Sequence, residues 1–467
     1  MNMSAATAGR SRTAYDPHYD PVTARSPGRG SDYAPTYWIG TAGAPPADDG
    51  PVTGDIDVDV AVIGSGYTGL SCALHLARDF GIKAHVLEAN GVAYGCSTRN
   101  GGQAQISAGR LKRSQWIARW DLATAKGLHA EMVDAFDHFR TLIQDYAIDC
   151  EPQDGGHYYV AHKASAMPAL QKEAELLRQT FGYGARMLSR SELHEGAVRD
   201  EEAHGAMWEP DGTSIHAAKL AFGYLRAARQ LGAKVHPASP VEGWTTRNGV
   251  HHLRTPGGTV RARAVAVATA GYGQRSLHGR LRDRLLPILS NSIVTRPLTE
   301  SELAACGFKT QSPLTDTRTL RHYYRLLPDN RVQIGSRAAI TGRDAANPRH
   351  LAALREGLAR KFPVLRNVPL DYSWWGWVDV SHDMMPRIVP VPDVANAFYA
   401  LGYGGNGVMY SAQAGRRLAQ LVAGRAGDVP DLPIFRGELP HKGLLTPFRR
   451  LGQWSLYHLY HFQDERG

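Results

Sequence analysis

Residues 57–89 read DVDVAVIGSGYTGLSCALHLARDFGIKAHVLEA. Val58, Val60, Val62 and Ile63 make a β-branched run suited to a strand buried on both faces. Gly64-Ser65-Gly66-Tyr67-Thr68-Gly69 then puts G-x-G-x-x-G where that strand should give way to a helix. Gly64 permits the sharp turn, Gly66 lets the backbone approach a pyrophosphate, and Gly69 lets the helix close on the strand. The helix start at Tyr67 and Thr68 offers N–H groups and partial positive charge to phosphates. Lys83 to Leu87 is the expected second strand. Glu88, 24 residues beyond Gly64, follows it with Ala89. An acid there accepts hydrogen bonds from an adenosine ribose and repels the 2′-phosphate of NADP. The spacing leaves FAD and NAD open. A glycine turn without a ligand is the plainer alternative for the motif alone, but strand, helix, second strand and terminal acid together select dinucleotide binding.

Composition sets the outer bounds. The 467 residues suffice for a large core and two interleaved domains. Hydrophobic content of 43% with 21% charged residues is that of a soluble enzyme. The net charge of +9 is spread without a long basic tract, which argues against a dedicated nucleic-acid binder. Cys72, Cys96, Cys150 and Cys306 are scattered and lack metal-ligand spacing, so reduced thiols and no metal are expected. No apolar run approaches the about 20 residues of a membrane span. Arg10 and Arg12 precede no hydrophobic segment, so no secretory signal and a cytoplasmic location are expected.

Along the chain, 1–51 is rich in Gly, Pro, Ser, Ala and Asp and is expected to be a flexible arm, with Tyr33, Tyr37 and Trp38 docking on the body. After the βαβ unit, Ser97, Thr98, Arg99 and Asn100 offer donors to a flat cofactor. Gly101-Gly102 before Gln103 permits close approach. The plainer alternative is a surface loop. Ala264–Ala270 reads as a buried strand ending in Gly271, which returns the chain to the first domain and makes it discontinuous. Trp374, Trp375 and Trp377 alternate on a strand, as core or as a pocket wall. Phe398–Leu401 is a last buried strand, and Gly402-Tyr403-Gly404-Gly405-Asn406-Gly407 turns it into a helix from Val408 onward. That helix start is placed to aim a second N-terminus at the cofactor.

Four segments together, VIGSGYTGL, STRNGGQ, AVATAGY and LGYGGNGV, resemble the FAD-dependent amine and amino-acid oxidases of the glycine/sarcosine/D-amino-acid oxidase superfamily. Within it the chain is most similar to the gamma-glutamylputrescine oxidase-like branch, through its aromatic arm, RNGGQ ending at Gln103, and the tail from Trp454 to Asp464. The resemblance runs from about Tyr33 onward. It implies an α/β fold: a Rossmann-like FAD-binding domain and a discontinuous, mainly antiparallel-sheet substrate domain of α+β character. The expected division is the arm 1–51, the FAD-binding domain at 52–150, 211–289 and 381–430, the substrate domain at 151–210 and 290–380, and a tail at 431–467.

By residue, the resemblance implies that Gly64, Gly66 and Gly69 hold the FAD pyrophosphate and Glu88 the ribose. Ser97 to Gln103 contact pyrophosphate and flavin, Val241 meets the adenine, Ala270 and Gly271 line the cofactor, and Gly404 to Met409 cover the flavin. Two stretches depart from the branch: Gly95-Cys96-Ser97-Thr98 replaces its usual G-A-S-G, and Asn406 stands where it often has histidine. The region Trp377–Met385 lacks the cysteine that links flavin in sarcosine oxidases, so FAD is expected to be non-covalent. The implied activity is oxidation of an amine C–N bond, with hydrolysis of the imine and reduction of oxygen to hydrogen peroxide. A dehydrogenase feeding a quinone or protein acceptor is the alternative, and a tRNA-modifying flavoprotein a more distant one. Tyr403 and Asn406 are candidates for the substrate face. Their plainer roles are core packing and a helix cap. Arg337 is the candidate cation beside the flavin, against plain surface solvation. Met409 stands where sarcosine oxidases carry a carboxylate-binding lysine, which points to an extended amine rather than a small α-amino acid.

Overall fold

The computed structural model describes residues 13–107, 109–441 and 443–465, the side chain of Leu444 excepted. Arg10 and Arg12 lie outside the described residues. The β-branched run forms Ile56–Ile63, and G-x-G-x-x-G leads into the helix Tyr67–Phe80. The second strand is His85–Leu87, two residues shorter than expected. Ile56–Ile63 is flanked in parallel by His85–Leu87 and by Gly258–Val267. Lys234–His236 and Ala397–Leu401 extend the parallel sheet on its two sides. The hairpin Gly243–Arg247 and Val250–Thr255 adds to it antiparallel. All five parallel strands therefore end on one edge, where open α/β sheets bind ligands.

A second sheet of eight strands is antiparallel except where Leu314–Asp316 runs parallel to His157–Val160. Its long central pair, Leu285–Thr295 with Leu370–Ser381, carries the tryptophan-rich segment. Because Leu285–Thr295 lies wholly in this sheet, residues 285–289 belong to it rather than to the cofactor sheet. A bridge between Val380 and Tyr403 joins the second sheet to the C-terminal glycine turn.

Several expectations change. The returning strand ends at Val267, and Ala270–Tyr272 is a 3₁₀ turn, because the chain must bend over the first glycine turn. A helix expected over Thr213–Gly232 from its amphipathic spacing begins only at Ala217, Thr213 sitting in the short strand Gly212–Ser214. The arm is ordered from residue 13: Tyr33 OH donates to Val92 O at 2.7 Å, Thr36 Oγ1 to Thr98 O at 3.1 Å and Trp38 Nε1 to Asn100 O at 2.7 Å. The docking expected of Tyr33, Tyr37 and Trp38 is thus present, with Tyr37 packed edge-on against Tyr372, and Thr36 adds an anchor that the composition did not suggest. The tail holds a 17-residue helix, Arg449–Glu465.

Candidate functional site

The two sheets enclose a cavity of about 1800 Å³ of empty space, counted out to its open mouth. Its floor is the first glycine turn. Gly64 has φ +103° and Gly69 lies so near that a Cβ there would meet Gly64 O at 1.9 Å, so the helix Tyr67–Phe80 packs directly on the turn. Gly69 therefore shapes the site from behind and does not line it, whereas Gly64, Gly66, Tyr67 and Thr68 do. No side chain caps this helix. Its N-terminal N–H groups and their partial charge face the cavity, apart from Tyr67 N, which donates to Ser97 Oγ at 3.0 Å.

Glu88 and Ala89 line the adjoining wall with Val241 and Ala270. Of the loop expected under the cofactor, Ser97, Arg99, Asn100, Gly101 and Gln103 line the cavity and Thr98 and Gly102 do not. Thr98 Oγ1 turns back to Ala93 O at 3.0 Å. The Asn100 amide donates to Cys96 O at 3.0 Å and to Tyr67 OH at 3.2 Å, so its donors hold the loop rather than reach outward. Arg99 is buried with its guanidinium 4.5 Å from the Tyr94 ring and about as near Tyr15 and Tyr272, and its Nη2 has no partner. Cys96 lines the cavity. Its thiol donates to Trp377 O at 2.6 Å, and burial pushes its pKa up to about 12.

At the opposite wall Gly405, Asn406, Gly407 and Val408 line the cavity, with Ser411 one turn on. Gly405 has φ +93°, and a Cβ there would sit 2.6 Å from Arg337 Nη2. Gly404 and Gly271 pack behind it, Gly271 against the backbone of Trp377 and Asp379. Asn406 makes no cap bond. Its Oδ1 accepts from Gln105 Nε2 at 2.9 Å, and its Nδ2 donates to Gly109 O and, at 3.3 Å, to Ser107 Oγ. The residue ties the helix start to the 105–109 segment. Tyr403 lines the cavity with its hydroxyl 2.9 Å from Thr68 Oγ1, and burial raises its pKa above the ordinary phenol value. Met409 is buried in the core and does not line the cavity. Val408 and Ser411 share a helix face, and one residue further round the helix Met409 points away from it. The argument from a replaced lysine therefore loses its footing.

None of the three tryptophans lines the cavity. Trp374 donates to Arg99 O at 2.8 Å and Trp377 to Tyr19 O at 2.9 Å, while Gly376, Val378 and Asp379 of the same strand face inward. Asp379 was not singled out by sequence. Its Oδ2 accepts from Gly402 N at 2.7 Å, and burial raises its pKa to about 6 against that bond. Arg337 lines the cavity rather than the outer surface and donates to Gly404 O at 3.3 Å. Burial lowers its pKa below the ordinary guanidinium value. Arg321, also missed, lines the wall from the loop between Leu314–Asp316 and Tyr323–Leu326. It forms no ion pair among the described residues, and its Nε has no partner. Elsewhere Glu202, Asp316 and His322 converge, but Lys361 Nζ lies within 3.3 Å of both acids and fills the role of a cation there.

A helix start with free N–H groups beneath a glycine turn, a second one opposite, a terminal acid and guanidinium nitrogens without partners on Arg99 and Arg321 fit a phosphorylated dinucleotide with a flat ring. Such a cradle, roofed by an antiparallel sheet, defines a flavin-dependent oxidoreductase. The chain belongs to the DAO family of FAD dependent oxidoreductases, whose profile matches residues 59–421. It is 32% identical over 416 residues to gamma-glutamylputrescine oxidoreductase of Escherichia coli (strain K12), covering 85% of this chain and 91% of that one. In fold it is similar to glycine oxidase from Geobacillus kaustophilus, with a TM-score of 0.69 at 20% identity over 82% of this chain and 99% of that one. L-proline dehydrogenase from P. horikoshii follows at 0.66 and 17%, covering 82% and 96%. The protein is thus an FAD-dependent oxidoreductase. No helix among the described residues is long and apolar enough to cross a membrane.

Proposed function

We propose that this enzyme oxidises the C–N bond of an extended amine carrying a carboxylate remote from the oxidised carbon, a gamma-glutamylputrescine-like compound, to an imine that water hydrolyses. Bound FAD would supply the two-electron acceptor for the hydride of that carbon, with oxygen and two protons then giving hydrogen peroxide. The glycine turn at 64–66, the helix start at Tyr67 and Glu88 would hold the nucleotide half, and the Gly405–Val408 turn the ring. Tyr403, bonded to Thr68, and Asn406, bonded to Gln105, fix that turn against the first helix and so set the cavity width.

Arg321 carries the substrate assignment. A guanidinium with an unpartnered Nε in a closed wall is a fork for a carboxylate, and a charged pair of this kind contributes about 1.5–3 kcal/mol. Its place in the loop between Leu314–Asp316 and Tyr323–Leu326, rather than beside the Gly404–Gly405 turn where Arg337 sits, suits a carboxylate at the far end of a long substrate. The 32% relative acts on a compound of that class by name. Aerobic turnover of gamma-glutamylputrescine, putrescine, sarcosine, glycine and D-alanine with peroxide detection tests the proposal. Gamma-glutamylputrescine should show the highest kcat/KM, and Arg321→Met should reduce its advantage over putrescine about tenfold to a hundredfold. Sarcosine or D-alanine as the best substrate overturns it.

A further inference from the structure

The helix Arg449–Glu465 has its polarity reversed. Its inward face is polar. Arg450 donates to Asp20 Oδ1 at 2.9 Å and lies over Trp377, and the Asp464 carboxylate accepts from Thr319 N and Leu320 N at 2.8 and 3.0 Å. Its outward side carries Leu451, Trp454, Leu456, Leu459 and Phe462, between 46 and 61% exposed, and Leu445 and Phe448 continue the run at 66 and 62%. A surface helix ordinarily shows the opposite arrangement, and monomers rarely keep so large a contiguous apolar patch in water.

The order of these residues selects what covers them. About Ser455 they recur symmetrically: Trp454 and Leu456 one step away, Leu451 and Leu459 four steps, Phe448 and Phe462 seven steps. Steps of four and seven stay on one helix face. Reversing the chain direction maps that face onto itself, with Phe448 at the end of the preceding 3₁₀ turn, so apolar residues meet apolar residues across a two-fold antiparallel contact. Gly452 and Ser455 at its middle let two backbones come close. Seven large side chains, each about half exposed, approach the roughly 800 Å² per partner of a standard interface. A helix lying on a membrane instead keeps Lys and Arg on its water-facing flank. Here both arginines within the helix turn inward, Arg449 to Asp283 at 2.8 Å and Arg450 to Asp20, leaving His458 and His461 outside.

We propose that the chain forms a two-fold dimer by antiparallel packing of Arg449–Glu465 on the same helix of a second copy. Ser455 lies at the axis, Leu451 meets the second copy's Leu459, and Phe448 meets its Phe462. The same helix braces the loop before Arg321 through Asp464, so the interface backs directly onto the cavity wall.

Sedimentation of the FAD-loaded full chain should give twice its 51.0 kDa mass. The double variant Leu451→Glu/Leu459→Glu should sediment at the single mass with its flavin absorbance retained, its dimer dissociation constant raised at least a hundredfold. Mild oxidation should cross-link Ser455→Cys to itself. Leu459→Cys should cross-link only when mixed with Leu451→Cys. A wild type that stays single at 100 µM, a dimer that survives the double substitution, or self-linking of Leu459→Cys overturns the proposal. So does a single-mass protein that cosediments with phosphatidylcholine–phosphatidylglycerol vesicles, which would assign the face to a membrane.

Discussion

Glu88 is tied twice to Ser65: its Oε2 accepts the Ser65 N–H at 3.0 Å and the Ser65 hydroxyl at 2.7 Å. Its other oxygen accepts from Asn90 N at 3.1 Å. The acid that ends the second strand thus also fixes the first glycine turn, and its free lone pairs face the cavity.

Glu88→Arg should weaken FAD binding about tenfold to a hundredfold, the equivalent of one or two charged hydrogen bonds. Glu88→Gln, which still accepts from Ser65, should lose less. Titration of apoprotein with FAD measures both, and an unchanged affinity in the arginine variant removes the ribose assignment.

FAD should leave the protein on acid precipitation. The only thiol lining the cavity among the described residues is Cys96, donated to a carbonyl and held protonated by burial, which makes it a poor nucleophile. Yellow colour staying with the pellet would show a covalent bond and point to Cys96.

Arg337 is a cation in the cavity wall with a carbonyl for its partner and no carboxylate. Negative charge developing on oxygen as it is reduced would be stabilised by it. Stopped-flow on Arg337→Met should show reoxidation by oxygen slowed tenfold or more, with reduction by the amine nearly unchanged. An unaltered oxidative half-reaction removes the residue from that role.

Asp379 makes stability depend on pH in a defined direction. Burial raises its pKa from 3.8 to about 6, so the folded state holds the proton more tightly than the unfolded chain. The penalty for burying its charge is absent below about pH 4 and complete above about pH 6, reaching about 3 kcal/mol. Asp379→Asn never carries that charge. Its stability relative to wild type should therefore rise as pH goes from 4 to 6.5, on top of a constant loss from the weakened Gly402 contact. Denaturant melts in which the difference stays flat would show that Asp379 titrates normally.

Trp38→Ala should cost about 3–5 kcal/mol, because the ring is 1% exposed and its N–H is bonded to Asn100 O. A loss under 1 kcal/mol in urea melts would mean that the arm is not part of the cooperative unit.

The βαβ unit was legible because each of its parts is set by local chemistry: β-branched residues, a glycine turn, a helix and an acid at fixed spacing. Positions that need a helix phase or a distant partner were not. Met409 and Val408 are neighbours in sequence, yet only Val408 reaches the cavity. Arg321 comes from a loop between two strands of the second sheet and Asp379 from another strand of it, and nothing near either in the sequence marks it as facing a cavity. Tyr403 and Asn406 lie where the glycine pattern placed them, but their partners, Thr68 and Gln105, are about 300 residues away. The tail helix escaped notice because its apolar residues face outward, against the pattern that marks a helix for a core.

The docking of the arm sets an order in time. Residues 33–38 leave the ribosome before their partners, yet they bond to Val92, Thr98 and Asn100, and the Tyr37 and Trp38 rings pack against Tyr372 and Trp374. The arm must wait until more than three hundred further residues have been made and both sheets have met. Its closure is then a late tertiary event of synthesis, and a nascent chain stalled before Tyr372 would keep these aromatics open to proteases and chaperones.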